Sequence, residues 1–192
     1  MINNNIRLIV GLGNMEDKYL QDRHNIGFMA IDHIAQQLNI IKWQHKFQGK
    51  FTVVTNPDQS NSDIKKIILL KPSCYMNLSG LSVQALASYY KIDIDNIVVI
   101  HDELDLASGQ MKVKLGGGTA GHNGLKSISQ ALGSNYWRIR IGIGHPGHKS
   151  LVAGYVLSKP TNQEQHLIDQ KLTLLSQQLN IICSNNLHAL HT

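Results

Sequence analysis

Hydrophobic residues in this chain come in short bursts between polar or glycine-rich stretches, and the spacing within each burst indicates the element it forms. Residues 6–11, IRLIVG, are an almost unbroken apolar run ending in glycine, as in a strand buried on both faces that delivers its C-terminal end to a loop. From Asn25 onward, Ile26, Met29, Ala30, Ile34 and Leu38 recur every three or four residues and so share one face of a helix. GKFTVVT and IKKIILLK read as strands of a hairpin around the polar turn NPDQSNSD, which is expected to be its mobile tip. A helix through Tyr90 follows, with Ser79 or Asn77 as its cap and Leu81, Ala85, Leu86 and Tyr89 on a common face. NIVVIHDELDL is another buried strand, and it spills acidic residues at its C-terminal end, where ligand sites gather in open α/β sheets. GQMKVKL and YWRIRIGIG alternate, and a helix between them starts in a glycine-rich loop. A last helix over 162–179 aligns Leu167, Ile168, Leu172, Leu175 and Leu179, after which the chain tails off in polar residues and histidines. The order β, α, β, β, α, β, β, α, β, α, without repeat, linker or composition break, predicts a single α/β domain over residues 1–192, with a twisted mixed sheet flanked by helices.

Composition adds boundaries. With 192 residues, 42% of them hydrophobic, the chain can bury a proper core. Lys+Arg 18 against Asp+Glu 13 gives a net charge of +5, an excess that suits an anionic partner without demanding one. Cys74 and Cys183 lie far apart with no metal-ligand spacing, which points to a reducing cytoplasm rather than a disulfide framework or zinc site. The N-terminus, MINNNIRLIVGLGN, lacks the basic flank and cleavage site of a secretion signal, and no apolar run is long enough to span a bilayer. A soluble, cytoplasmic protein is expected.

Several residues could carry chemistry. GLGN after the first strand lacks the third glycine of a dinucleotide fingerprint, so a nucleotide cofactor is rejected, and Asn14 is either a turn residue or an amide held at a strand end. His24, in DRHNIG, precedes a helix, where most histidines are solvated or modest caps. Asp102, Glu103 and Asp105 are a solvated strand end, ligands for Mg²⁺, or a carboxylate that orients a histidine; the incomplete ligand set favours the last. The loop in LGGGTAGHNGLKSI lies between a basic strand and a helix N-terminus, where bare backbone amides can seat phosphate or ribose. By alternation Lys112 and Lys114 share a face, as do Arg138 and Arg140, and with Lys126 and Lys149 they read as a phosphate track.

Taken together, GLGN, RHNIG, YMNLSG, HDELDL, KLGGGTAGHNGLKSI and RIRIGIGHPG resemble bacterial-type peptidyl-tRNA hydrolase over roughly residues 6 to 160. Each motif is weak alone; their order and spacing are specific. The resemblance implies hydrolysis of the ester that joins a peptide to the terminal ribose of tRNA, with no metal or cofactor, by a monomer whose partner is peptidyl-tRNA. It assigns catalytic roles to His24 as general base, Asp102 as its orienting carboxylate, and Asn14. Tyr19, Tyr75, Met76, Asn77, His122 and Asn123 would bind substrate, with Lys112, Lys114, Arg138 and Arg140 on the tRNA. Met15 and Glu16 stand where the family usually has Pro-Gly, and Asp22 and Cys74 where Thr is common. A noncatalytic RNA-binding protein and a metal-dependent phosphoesterase using Asp102, Glu103 and Asp105 are the alternatives.

Overall fold

A computed structural model describes residues 6–55 and 66–190. Seven strands form one mixed sheet: β1 (Leu8–Gly11), β2 (Gln44–Lys46), β3 (Gly49–Thr55), β4 (Lys66–Pro72), β5 (Ile97–Glu103), β6 (Met111–Leu115) and β7 (Trp137–Gly142). Their order is β2-β3-β4-β1-β5-β7-β6. β4, β1, β5 and β7 run parallel, and antiparallel β2–β3 and β6 finish the two sides. The expected hairpin is present as antiparallel β3 and β4, whereas its turn, NPDQSNSD, lies outside the described residues. Three-residue β2 was not anticipated, because its Gln44, His45 and Lys46 are all exposed and give no hydrophobic signal.

Successive side chains of the central strands feed two cores. Leu8 and Val10 of β1 and Val99 of β5 pack toward α2 (Ser79–Tyr90) and α3 (Asn123–Leu132), with Val83, Leu86, Leu125 and Ile128. Ile9, Val98 and Ile100 point the other way, toward α1 (Ile26–Gln37) and α5 (Asn162–Gln177), with Ile34, Ile168 and Leu172. This two-sided burial explains why β1 and β5 read as unbroken apolar runs.

Three expectations need correction. On α2 the buried residues are Ser79, Gly80, Ser82, Val83, Leu86 and Ala87, while Leu81 and Tyr89 are exposed. The reason is close helix contact: a Cβ at Gly80 would lie 2.2 Å from the Ser127 carbonyl oxygen of α3, and Gly80 N–H donates to Ser127 Oγ at 2.9 Å. Small residues face the partner there, so hydrophobicity alone places Leu86 correctly but Leu81 and Tyr89 wrongly. Neither Ser79 nor Asn77 caps α2; the cap position is Leu78, and Ser79 Oγ donates to the Met76 carbonyl. The last helix also differs. Leu167 is exposed, α5 is capped by a reciprocal Thr161–Glu164 box, and the supposedly polar tail forms α6 (Leu179–Cys183), whose Ile182 and Cys183 join Leu187 and Leu190 in the α1 core. Its apolar residues are interspersed with Asn and His, which hides them from a periodicity reading.

Candidate active site

The site is assembled where β1 and β5 end. α1 begins directly on top of these ends, because Gly27 in its first turn has no side chain: a Cβ there would stand 2.3 Å from Leu12 N and 2.4 Å from the Ile100 carbonyl oxygen. The 3-10 turn Arg23–Asn25 that leads into α1 is thereby held over the C-terminal end of β5. His24 Nδ1 then lies 2.8 Å from Asp102 Oδ1. His122 approaches the same oxygen, with its Nε2 at 2.9 Å.

The proton positions follow from the partners. An ionised carboxylate only accepts, so both imidazoles donate to it. Asp102 is held well below the usual carboxylate range: burial alone would raise it, but the attraction and hydrogen bonds of His24 and His122 outweigh burial. With Nδ1–H committed to Asp102, the basic nitrogen of His24 is Nε2. For His24, burial disfavours the charged form, yet Asp102, through its charge and hydrogen bond, and Asp22, through its charge, together carry the imidazole above the ordinary histidine value. His122 is also fixed: as the N-cap of α3 its Nδ1 accepts from Gly124 N at 3.1 Å and Leu125 N at 3.3 Å, so its proton sits on Nε2. This role was not foreseen for His122, which was read as a contact to substrate; a histidine cap gives no signal among the usual Ser, Thr, Asp and Asn.

His24, Asp102, His122 and Asn123 line one cavity of about 850 Å³, together with Lys114, Arg138 and Arg140. Asn14 and Tyr75 line a smaller cavity of about 390 Å³, with the departing residues Met15, Glu16 and Cys74. Asn14 is held rigidly by Asn25, whose side chain accepts from Asn14 N at 2.7 Å and donates to Asn14 O at 2.9 Å. Within RHNIG nothing local marks Asn25 as the partner of Asn14, because the pairing depends on the two loops meeting. Met76 is buried beneath α3, where a Cβ at Gly124 would lie 2.6 Å from its Sδ, and Asn77 is exposed nearby. Tyr19 is half-buried under the Lys18 ammonium. Neither Asn77, Tyr19 nor Lys112 lines the two cavities.

The basic face divides. Lys112 pairs with Arg140 and Lys114 with Arg138 across β6 and β7, so the four residues do share a face. Lys112 and Lys114 are exposed. Arg138, however, is 3% exposed, and its two terminal nitrogens donate to the Gly117 and Gly118 carbonyls, so it clamps the glycine-rich loop in place of the phosphate contact expected of it. Arg140 Nε donates to Glu103 Oε2 at 2.9 Å, which also gives Glu103 a partner other than a metal.

Among the described residues, His24, Asp102 and His122 are the one group whose potential metal-ligating atoms lie within 4.8 Å of one another. Their hydrogen bonds do not suit a metal. A cation on His122 Nε2 needs the proton moved to Nδ1, against the two backbone N–H groups that already point at that nitrogen. The buried His101 ring packs edge-on against His122 at 5.2 Å, and burial, aided by repulsion from His122, lowers it to about 3, which keeps a neutral wall behind the pair.

Residues 8–192 match the family model described as peptidyl-tRNA hydrolase. The chain belongs to the peptidyl-tRNA hydrolase family. It is 43% identical over 187 residues to a peptidyl-tRNA hydrolase of Maricaulis maris, covering 97% of this chain and 90% of the relative. It is 48% identical over 164 residues to one of Methylobacterium sp. (strain 4-46), covering 85% and 78%. A crystal structure of peptidyl-tRNA hydrolase from Acinetobacter baumannii superposes with a TM-score of 0.87 at 38% identity, covering 97% of this chain and 92% of that one. Family membership thus extends through α5 and α6, beyond the roughly 160 residues over which the motifs could be followed. No helix among the described residues is long and apolar enough to cross a membrane.

Proposed function

We propose that this chain hydrolyses the ester between a peptide, or an N-blocked aminoacyl group, and the terminal ribose of tRNA, with His24 as the general base. The observation that carries the mechanism is the 2.8 Å contact of His24 Nδ1 with Asp102, which leaves Nε2 basic on the wall of a cavity wide enough for a nucleotide. His24 Nε2 takes a proton from water as its oxygen attacks the ester carbonyl, and the Asp102 charge stabilises the imidazolium that forms. The side-chain amide of Asn123, or that of Asn14 from the smaller cavity, donates to the developing oxyanion. The tetrahedral intermediate then collapses, the carbon–oxygen bond to the ribose breaks, and the ribose oxygen takes the proton back from His24. The ester is activated enough that neither metal nor cofactor enters the scheme.

Exposed Lys112 and Lys114, with Arg140, supply positive charge for tRNA phosphates. The same reading has the chain act as a monomer in the cytoplasm, where peptidyl-tRNA arises. The test is release of intact tRNA from N-blocked aminoacyl-tRNA by the purified protein, with and without a chelator. His24→Ala should lower kcat by at least about 10²-fold and leave tRNA binding intact. A wild-type rate in that variant removes His24 as base; loss of activity in EDTA restored by a divalent cation supports the metal-dependent alternative.

A further inference from the structure

Arg23 is charged, adjacent in sequence to His24, and only 6% exposed, yet it takes no part in the hydrolysis scheme. Its side-chain contacts all reach the segment from Tyr155 to Glu164, which lies next to the catalytic turn. That segment begins in α4 (Val152–Val156), whose Val152, Ala153 and Val156 line the same cavity as His24. Arg23 Nη1 donates to the Ser158 carbonyl at 3.2 Å, to Ser158 Oγ at 2.8 Å and to the Lys159 carbonyl at 2.8 Å, and Nη2 donates to Glu164 Oε2 at 2.8 Å. The guanidinium lies over the Tyr155 ring of α4 at 4.1 Å, and Arg23 N donates to the Ser158 carbonyl at 3.1 Å. Glu164 is committed as well: it completes the N-terminal box of α5 by accepting from Thr161 N at 2.7 Å. Tyr155 OH donates to the Ile143 carbonyl just beyond β7. One side chain therefore ties the end of α4, the start of α5 and the catalytic turn to each other.

We infer that Arg23 is a positioning residue for the reaction proposed above: it fixes the α4 wall relative to His24, so that cavity width and base placement are set together. A planar fork suits this task, because three backbone or hydroxyl oxygens, a carboxylate and an aromatic face must be met at once; an ammonium of equal charge cannot reach them all. The effect runs through geometry, so it should be reproduced from the far end of the network, at residues that touch neither His24 nor the cavity centre.

The experiment compares wild type with Glu164→Gln, Tyr155→Phe, Arg23→Gln and Arg23→Lys, using steady-state hydrolysis of N-blocked aminoacyl-tRNA well below each variant's Tm. Glu164→Gln should raise KM and lower kcat, giving a loss of about tenfold in kcat/KM, less than the ~10² that a 1 Å misplacement of reacting groups costs. Arg23→Lys should behave like Arg23→Gln despite its charge, and the Glu164→Gln loss should largely vanish in the Arg23→Gln background, as it does for residues acting in one network. If either Arg23 variant fails to fold, Glu164→Gln and Tyr155→Phe decide the matter by themselves. Unchanged kcat and KM in both, with only a lowered Tm, would overturn the inference by making the network purely structural. Wild-type kinetics in Arg23→Lys would also overturn it, since charge rather than the fork would then suffice. Failure of the wild-type chain to release tRNA at all strikes the function proposed above instead, and so is distinguishable.

Discussion

Asp102→Asn tests the site most sharply, because one oxygen of Asp102 receives both His24 and His122. The amide is nearly isosteric, and its own oxygen can still accept from both rings, so the substitution removes charge while leaving a route for the geometry to survive. In the transition state His24 becomes an imidazolium beside that charge. For charges about 4 Å apart at an effective dielectric of about 20, the lost attraction is about 4 kcal/mol. At 1.36 kcal/mol per tenfold, this is a fall in kcat of up to about 10³-fold. A turned amide, with Nδ2 toward the rings, would add the wrong imidazole tautomer to the loss. The pH profile carries an independent signature. Burial lowers the His24 pKa and Asp102, with Asp22, raises it above the ordinary value; without the carboxylate charge the balance moves down. The acid limb of kcat/KM reports loss of the free-enzyme base, so it should move to lower pH while the plateau falls. KM should change little. The assay is a full pH profile of both proteins on one N-blocked aminoacyl-tRNA, with tRNA affinity measured separately. An unchanged plateau together with an unmoved acid limb would refute the pairing and leave Asp102 a structural strand-end residue.

His122→Ala should destabilise the protein by about 1 kcal/mol through loss of the α3 cap alone, and lower kcat as well because Asp102 loses its second donor; chemical denaturation and kinetics on the same sample check both. Lys112→Ala and Lys114→Ala should each weaken tRNA binding and reduce the salt slope by about one ion, whereas Arg138→Ala should lower kcat more than affinity, because its fork holds loop carbonyls; binding titrations across a salt series separate the two behaviours. Gly27→Ala should destabilise by at least about 3 kcal/mol, a Tm drop of roughly 6–12 °C in calorimetry, since the new methyl would meet only backbone atoms.

The parts of the fold that were legible in the sequence are those where side-chain polarity tracks burial. β1, β5 and α1 announce themselves because strands buried on both faces and a helix lying on them must be apolar, and β7 does so by its alternation. α2 misled in part: Leu86 faces inward as expected, but contact with α3 is so close that Gly80 and serines take inward places while Leu81 and Tyr89 are exposed. α6 was missed because five residues are too few for a period to register. At the site, the sequence motifs placed His24 and Asp102 together, and the structure brings them within hydrogen-bonding distance. What the motifs could not carry is valence: whether a polar residue has donors and acceptors left over. Arg138 looked like a phosphate ligand until its fork proved to be spent on Gly117 and Gly118, and His122 looked available until both its nitrogens were accounted for. Partner counts depend on which loops meet across the sheet, information that no local window contains.

The order in which the chain is made gives α5 and α6 a further meaning. All seven strands, and every side chain assigned to the hydrolytic site, precede residue 157. α1 already covers part of the sheet face that carries Val98 and Ile100, but the cluster that also holds Met111, Ile139 and Ile141 is completed only when Ile168, Leu172, Leu175, Leu179 and Ile182 arrive. A nascent chain halted in that interval holds the whole catalytic set on a sheet with part of one greasy face still open to water, a state prone to aggregate. Still esterified to its tRNA, such a fragment would meet a finished copy of the same protein as substrate, not as a second enzyme.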